Sequence, residues 1–303
     1  MATIFRNIRT PDGLLLFERK TGVNILLDEM KGRWKWEKPL YVAVQVTNVC
    51  NRQCRWCYAS SSSSAPSGVW TREKLLNLCH YLDRWGVLGV AFGGGETFTF
   101  PGFATLATQV WDSTGLDVGA TSNGDLITHE DLATMRGHFG HLRISVWHPS
   151  EFRSKVIRLL GQGVDIGINT ILFKGGVGLV KSIVEEGVKA GVNDFLILAC
   201  KVYGGAVDSM APDAEDVRNL AEYIRKHQEI GFKVDPALSV ALAAQQTRFL
   251  QPWIEEKSGP RFLSITYDGY VKPDSFSDAR VLLMNYDQLP EIHHGFFGSS
   301  LHV

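Results

Sequence analysis

Apolar and polar residues alternate along this chain in two different rhythms. Short apolar runs typical of strands occupy residues 41–46, 87–92, 117–122, 142–147, 165–172 and 194–200, with a weaker run at 233–240. Amphipathic stretches with helical periodicity separate them, at residues 71–85, 103–111, 128–139, 151–161, 179–191 and 211–229. This order predicts successive βαβ units, and therefore a parallel sheet with right-handed crossovers.

The number of these units indicates the architecture. Six or seven units favour an α/β fold with a partial (β/α)6 TIM-like barrel over a complete eightfold barrel. Residues 13–28 predict an N-terminal β-hairpin, and a helix after Gln246 followed by a hairpin-like piece at 261–276 predicts a small C-terminal extension. We therefore expect an N-terminal hairpin or cap over 1–39, the barrel over 40–243, and a C-terminal helix with a vestigial extension over 244–303.

Composition narrows the class of protein. The chain has 303 residues, 45% of them hydrophobic, and a net charge of −1, which gives no indication of a nucleic-acid or anionic-membrane surface. The start lacks the apolar core of a signal peptide, and no apolar run reaches the roughly 18 residues that span a bilayer. We expect a cytoplasmic protein without membrane or nucleic-acid partners.

Three of the five cysteines, Cys50, Cys54 and Cys57, lie within eight residues, directly after the first predicted barrel strand. Without an export signal, this usage favours metal binding or chemistry over a disulfide framework. A structural zinc site needs four ligands, whereas a four-iron cluster held by three cysteines keeps one iron open for a ligand. The alternatives are a zinc site completed from elsewhere in the fold, or a group of buried reduced cysteines.

The segment CNRQCRWC has the pattern CxxxCxxC with an aromatic residue before the last cysteine, and it resembles the radical S-adenosylmethionine (SAM) superfamily. The resemblance implies a [4Fe-4S] cluster on these three cysteines, with the amine and carboxylate of SAM chelating the fourth iron. It also implies that an electron from the cluster cleaves SAM to a 5′-deoxyadenosyl radical, which abstracts hydrogen from a substrate.

The same resemblance extends to the ends of the following strands. AFGGGETFTF, at 91–100, is similar to the family's GGE motif, which contacts the methionyl amine, and TSNG, at 121–124, is similar to a frequent TNG. Asn123 either faces the cofactor or forms an Asx turn, and Arg153 either reaches a carboxylate or is a solvated helix residue. The implied cofactor-binding residues are Gly94, Gly95, Glu96, Asn123, Ser145, Arg153 and Asn169.

Two further features bear on the reaction. Cys200 ends the sixth strand, where a thiol can return a hydrogen atom to a substrate radical, although a buried small hydrophobe is the commoner role of cysteine.

The segment RFLSITYDGYVKPDSFSD resembles the start of the SPASM or twitch-type extension of peptide-modifying relatives, in which a cysteine holds an auxiliary cluster. Asp274 stands in that place here, so we expect no auxiliary cluster.

The sequence thus predicts a radical SAM enzyme that modifies a peptide or a small metabolite, for example by epimerisation, rearrangement or bond formation. The resemblance implies a reductant such as flavodoxin or ferredoxin. Two alternatives remain: the same cluster used for aminocarboxypropyl or methyl transfer, and a non-catalytic iron-sulfur protein.

Overall fold

The computed structural model describes residues 5–10, 13–21, 24–28, 38–204, 206–243 and 262–297. The helix predicted after Gln246 falls on residues 244–261, outside the described residues. The three domain ranges given above stay a prediction.

An antiparallel sheet of three strands precedes the barrel: β1 (Phe5–Thr10), β2 (Gly13–Glu18) and β3 (Asn24–Asp28). The predicted hairpin is present as β2 and β3, and β1 adds a strand that the hydrophobic pattern did not indicate. Leu15 and Phe17 of β2 pack with Leu88, which directly precedes a barrel strand, and all three are at most 2% exposed. The sheet therefore covers the end of the barrel at which the strands begin.

Seven consecutive strands lie side by side in chain order, and every neighbouring pair is parallel. They are β4 (Tyr41–Thr47), β5 (Gly89–Gly94), β6 (Asp117–Ser122), β7 (His141–Ser145), β8 (Asp165–Leu172), β9 (Asp194–Ala199) and β10 (Gly231–Val234). This confirms the predicted partial barrel. We call the end at which β4 to β9 finish the barrel mouth, and the opposite end the barrel floor.

Helices connect these strands and cover the outside of the sheet. They are α1 (Arg72–Trp85), α2 (Phe103–Ser113), α3 (His129–Met135), α4 (Phe152–Lys155), α5 (Val177–Lys189) and α6 (Ala214–Lys226). Thr71 caps α1 by accepting a bond from the Lys74 amide, and Thr128 forms a capping box with Asp131 at α3. The side chains of Val42, Val44, Leu75 and Leu78 are at most 1% exposed, and burial of each contributes about 1.5–3 kcal/mol.

One predicted strand is wrong over most of its length. Residues 236–240, predicted to be extended, belong to α7 (Pro236–Ala243), and the strand before it ends at Val234. Asp235 begins the helix by accepting a 2.9 Å bond from the Leu238 amide, and proline is favoured in a first helical turn.

The C-terminal extension continues the barrel sheet. Its strand β11 (Phe262–Ile265) pairs in parallel with β4, and β12 (Tyr270–Lys272) and β13 (Val281–Leu282) follow in antiparallel order. The last helix is α8 (Leu289–Phe297). Trp70 Nε1 donates to the Thr266 carbonyl at 2.9 Å, which fixes the extension beside the start of α1. In the described part of the chain no helix is long and apolar enough to cross a membrane.

Candidate metal and cofactor site

The three neighbouring cysteines lie in the loop that leaves β4 at the barrel mouth. The Cys50 amide donates to the Ser62 carbonyl at 3.0 Å, and the Cys57 amide donates to the Cys54 carbonyl at 3.1 Å. All three cysteines are partly buried, and none forms a disulfide. The loop is therefore folded back on itself by its own backbone.

Backbone amides point at two of the thiols. The Arg52 amide lies 3.4 Å from Cys50 Sγ, and the Ser61 amide lies 3.4 Å from Cys57 Sγ. Burial raises the pKa of Cys50 and Cys54, and neighbouring thiols raise it further, so bare thiolates are disfavoured in this loop. Cationic iron would reverse that penalty, and amide donors to sulfur are a usual means of tuning iron-sulfur clusters.

The cysteines do not form a compact single-ion site. Zinc holds thiolates about 2.3 Å from one centre. Among the described residues, no three His, Cys, Asp or Glu side chains are gathered closely enough to hold one metal ion. The donor set, with its amide donors to sulfur, fits a cluster of several irons.

The glycine turn at the end of β5 packs against the cysteine loop. A Cβ on Gly94, whose φ is +119°, would lie 2.2 Å from the Thr47 carbonyl oxygen, and a Cβ on Gly95 would lie 2.1 Å from that of Val49. A Cβ on Gly93 would meet nothing within 4 Å. Gly94 and Gly95 thus allow close approach to the backbone just before Cys50, while Gly93 borders open space.

Glu96 joins the ends of two strands. Its side chain is 1% exposed and accepts bonds from Ser122 Oγ (2.7 Å), the Asn123 amide (2.7 Å) and the Phe98 amide (3.1 Å). Burial raises the pKa of this carboxyl, although the three donors oppose the rise. Most acceptor positions of Glu96 are therefore occupied within the protein.

Asn123 fulfils the second of the two roles weighed for it. Its Oδ1 accepts from the Asp125 amide at 3.0 Å, which is an Asx turn, and its Nδ2 donates to Asn51 Oδ1 at 2.7 Å. The same Nδ2 lies 4.0 Å from Cys50 Sγ. A contact with the cofactor stays a prediction, and the observed contacts are with the cysteine loop.

Ser145 and Asn169 lie side by side in the barrel. They are register partners on β7 and β8 and are 7% and 5% exposed. Asn169 Oδ1 is buried and has no hydrogen-bond partner among the described residues. A buried amide oxygen without a donor is unusual in proteins, so this position fits a ligand hydroxyl such as that of a ribose.

Arg153 is exposed and does not contact the cysteine loop, as the alternative of a solvated helix residue describes, and its contact with a carboxylate of the cofactor stays a prediction. It is exposed on α4 without a hydrogen bond or ion pair to any described residue. Lys155, two positions later, is 2% exposed, and its Nζ lies 3.2 Å from the Ser145 carbonyl and 3.0 Å from Glu151. Each helical position turns the side chain by about 100°, so residues that are two positions apart point to nearly opposite sides of the helix.

Sequence reasoning missed both Lys155 and Arg52 as residues of this site. Within the cysteine loop, Arg52 pairs with Asp125 at 2.6 Å and with Glu151 at 2.9 Å. Burial opposes these bonds, which nevertheless raise the pKa of Arg52, and they tie the loop to the segment after β6 and to the turn just before α4. The sequence signal was a cation between two cysteines, and this position does not indicate which carboxylates the cation pairs with.

Cys200 follows β9 at the barrel mouth and is 5% exposed, and its amide donates to the Leu172 carbonyl at 3.0 Å. Burial raises the pKa of the thiol. The structure places it as the small buried residue that was the commoner alternative, and its role as a hydrogen donor stays a prediction.

Aromatic side chains surround the cysteine loop. Trp56 packs against Trp147 and Phe173, with ring centroids 6.0 and 5.0 Å away, and Tyr58 packs against Phe276 of the extension at 5.3 Å. Asp274, in the place of the auxiliary-cluster cysteine, accepts from the Phe276 and Ser277 amides at 2.6 and 2.7 Å. It therefore shapes the turn that presents Phe276.

Residues 44–171 match the family model described as the radical SAM superfamily. The chain contains a radical SAM domain. This confirms the predicted radical SAM domain, and members of that superfamily use a [4Fe-4S] cluster and SAM. The matched residues include every predicted cluster and cofactor residue, and the candidate catalytic residue Cys200 lies outside them.

Two curated relatives resemble the radical SAM domain. The sporulation killing factor maturation protein SkfB of Bacillus subtilis is 30% identical over 108 residues, covering 36% of this chain and 26% of the relative. The AdoMet-dependent heme synthase of Methanosarcina barkeri is 32% identical over 111 residues, covering 36% of this chain and 30% of the relative. The chain thus matches about a third or less of either relative's length.

Solved structures share the whole fold. SuiB of Streptococcus suis, bound to S-adenosylmethionine, has a TM-score of 0.74 at 14% identity, over 96% of this chain and 88% of its own. Native anSMEcpe with bound AdoMet has a TM-score of 0.64 at 15% identity, over 88% of this chain and 84% of its own. The similarity confirms the α/β fold with its partial barrel.

Proposed function

We propose that this chain is a radical SAM enzyme in which Cys50, Cys54 and Cys57 bind a [4Fe-4S] cluster whose open iron receives SAM. The observation that carries the proposal is the cysteine loop itself, in which amides point at Cys50 and Cys57 within a confirmed radical SAM domain. When bound, the cluster supplies the electron that cleaves SAM and starts hydrogen abstraction.

The chain's own residues would position and shield the cofactors. Gly94 and Gly95 hold the cysteine loop against β5, and the open space beside Gly93 leaves room for the methionyl group. Ser145 and Asn169 offer polar groups to the ribose, and the buried Lys155 braces the Ser145 backbone. Trp56 excludes water from one side of the loop, and solvent exposure is one determinant of cluster potential.

We propose that the substrate is a peptide and that a small redox protein in its reduced form donates the electron. SkfB is described as a maturation protein, SuiB has been crystallised with the precursor peptide SuiA, and anSMEcpe with the peptide Cp18Cys. These structural neighbours are about 14–16% identical to this chain and support its fold alone, so their peptides serve as precedents. The extension beside the barrel mouth supplies a wall for such a substrate.

The test is anaerobic reconstitution with iron and sulfide, followed by dithionite, SAM and chromatography for 5′-deoxyadenosine. We expect the wild-type chain to bind four irons and release deoxyadenosine, as cleavage at a [4Fe-4S] cluster requires. Cys54→Ala should lose both, while the buried Cys79→Ala, outside the loop, should keep both. Iron binding with a different cleavage product would favour group transfer, and iron binding with intact SAM would favour a non-catalytic protein.

A further inference from the structure

A cleft separates the barrel mouth from the C-terminal extension. Its volume is about 470 Å³, within the roughly 300–1,000 Å³ usual for ligand sites. Gln45 and Tyr58 line it from the barrel, and Thr266, Lys272 and Asp278 line it from the extension. Since Tyr58 directly follows Cys57, the cleft adjoins the cysteine loop.

Most charged groups that line the cleft are paired or solvated. Arg280 lies 4.0 Å from Asp268, and Asp268 also accepts a bond from Thr266 Oγ1 at 2.6 Å. Asp278 is exposed to solvent and accepts from Tyr203 at 3.2 Å. None of these side chains requires a ligand to balance a buried charge.

Lys272 differs from them. It is 9% exposed, and its ammonium donates one long bond, 3.3 Å, to the Ser275 carbonyl, and lies 5.5 Å from the centroid of the Tyr203 ring. No carboxylate of the described residues forms an ion pair with it. Lys272 is therefore a buried cation of the cleft that lacks a counter-charge among the described residues.

The Lys272 ammonium lacks a partner that would replace its lost hydration. An ammonium has three donors, and burying it without an opposite charge is costly unless strong partners replace the lost water. A weak carbonyl bond and a distant aromatic ring replace only part of that hydration. A carboxylate would supply both the counter-charge and charge-assisted hydrogen bonds.

We propose that this cleft holds the substrate through a carboxylate bound to Lys272. The inference rests on the proposed function for its location beside the cluster, and it specifies the chemistry of the substrate. The same carboxylate can belong to a glutamate or aspartate side chain of a peptide or to a free small acid.

The test measures binding by titration calorimetry, with no SAM or reductant present. The probes are acetyl-Ala-Glu-Ala-amide, its Gln analogue, glutarate and inorganic phosphate. We expect the wild-type protein to bind the Glu peptide at least about tenfold more tightly than the Gln peptide. Lys272→Met and Lys272→Gln should lose this preference, Lys272→Arg should retain it, and Lys189→Met, at an exposed lysine on α5, should match the wild type.

A second measurement needs no substitution. Acetylation of Lys272 by acetic anhydride, followed by mass spectrometry, should slow when the Glu peptide or glutarate is present, while acetylation of Lys189 should not. Tighter binding of the peptide than of glutarate assigns the carboxylate to a peptide, and the reverse assigns it to a small acid.

Equal affinity for the Glu and Gln peptides, a preference that persists without the Lys272 charge, tighter binding of phosphate, or no binding of any carboxylate would each overturn the proposal. Deoxyadenosine release is measured separately, so a failure here leaves the proposed radical chemistry standing. A failure of that chemistry would, conversely, leave the carboxylate site.

Discussion

Polar side chains lie at both the floor and the mouth of the barrel. The two groups differ in how far they form ion pairs and hydrogen bonds with other side chains of the protein. At the floor, Tyr41 donates to Asp117 at 3.3 Å, Arg143 pairs with Asp194 at 2.7 Å, and Lys233 pairs with Asp194 at 3.2 Å. At the mouth, Asn169 Oδ1 lacks a donor and Lys272 lacks a counter-charge among the described residues.

We interpret this difference as a division between polar groups that stabilise the fold and polar groups that bind a ligand. The floor charges pair mainly with one another, although Asp117 Oδ1 and Arg143 Nη1 also lack a hydrogen-bond partner among the described residues, and removing one charge of a pair leaves the other uncompensated. Unpaired polar groups beside an open cleft keep part of their bonding capacity for a ligand. Substitutions at the floor should therefore change stability, and substitutions at the mouth should change binding.

The largest effect that we expect at the mouth comes from Gly95→Ala. The new Cβ would lie 2.1 Å from the Val49 carbonyl oxygen, so the backbone that carries Cys50 must move. Iron bound after reconstitution should fall to a small fraction of the wild-type value. Gly93→Ala is the matched control, since its Cβ meets nothing within 4 Å and iron binding should persist. Full iron binding by Gly95→Ala would contradict the packing role.

The buried titratable groups at the floor should make the free energy of unfolding depend on pH. Burial raises the pKa of Asp117 to about 7, so this group makes the folded state less stable as pH rises from about 4 to 7. Burial lowers the pKa of His141 to about 3, so this group makes it less stable as pH falls from about 6.5 to 3. The two slopes oppose each other in the wild type.

Removing either group should expose the other slope, up to about 1.4 kcal/mol per pH unit. Urea unfolding of His141→Gln should show stability falling as pH rises, and Asp117→Asn should show it falling as pH drops. Glu222→Gln, on the exposed face of α6, serves as the control. Identical slopes in all these proteins would show that the pair does not titrate on unfolding.

A smaller effect is expected at the position where we propose that the mouth contacts the ribose of SAM. Asn169→Ala should weaken SAM binding to the cluster-loaded protein by about three- to tenfold, the contribution of one hydrogen bond. Equilibrium dialysis measures this directly. Thr170→Val is the neighbouring control, because successive strand residues face opposite sides of the sheet. Unchanged SAM affinity in Asn169→Ala would assign the free amide oxygen to the substrate or to water.

The smallest effect concerns the turn that presents Phe276. Asp274→Ala removes an acceptor from the Phe276 and Ser277 amides, which should lower the local free energy of opening by about 1 kcal/mol. Hydrogen exchange at those two amides should accelerate accordingly, and Asp274→Asn, which keeps the acceptor, should not show the change. Equal protection in all three proteins would mean that the aromatic contacts alone hold the turn.

The sequence by itself determined the radical SAM domain and the parallel α/β fold, and it predicted the three cysteines as a shared ligand set. These conclusions depend on near neighbours in the chain: the spacing in CNRQCRWC, the periods of apolar residues, and caps such as Thr71 and Thr128. Local patterns are readable because the contacts they describe are made within a few residues.

Tertiary structure alone decided which residues complete the site. The run of serines at 60–64 returns to the end of β4, where the Ser61 amide lies 3.4 Å from Cys57 Sγ. Likewise, Glu96 is occupied by donors from the next strand, and Lys155 is buried where Arg153 is exposed. These outcomes depend on partners distant in the chain, and one sequence carries no local signal of which distant groups will meet.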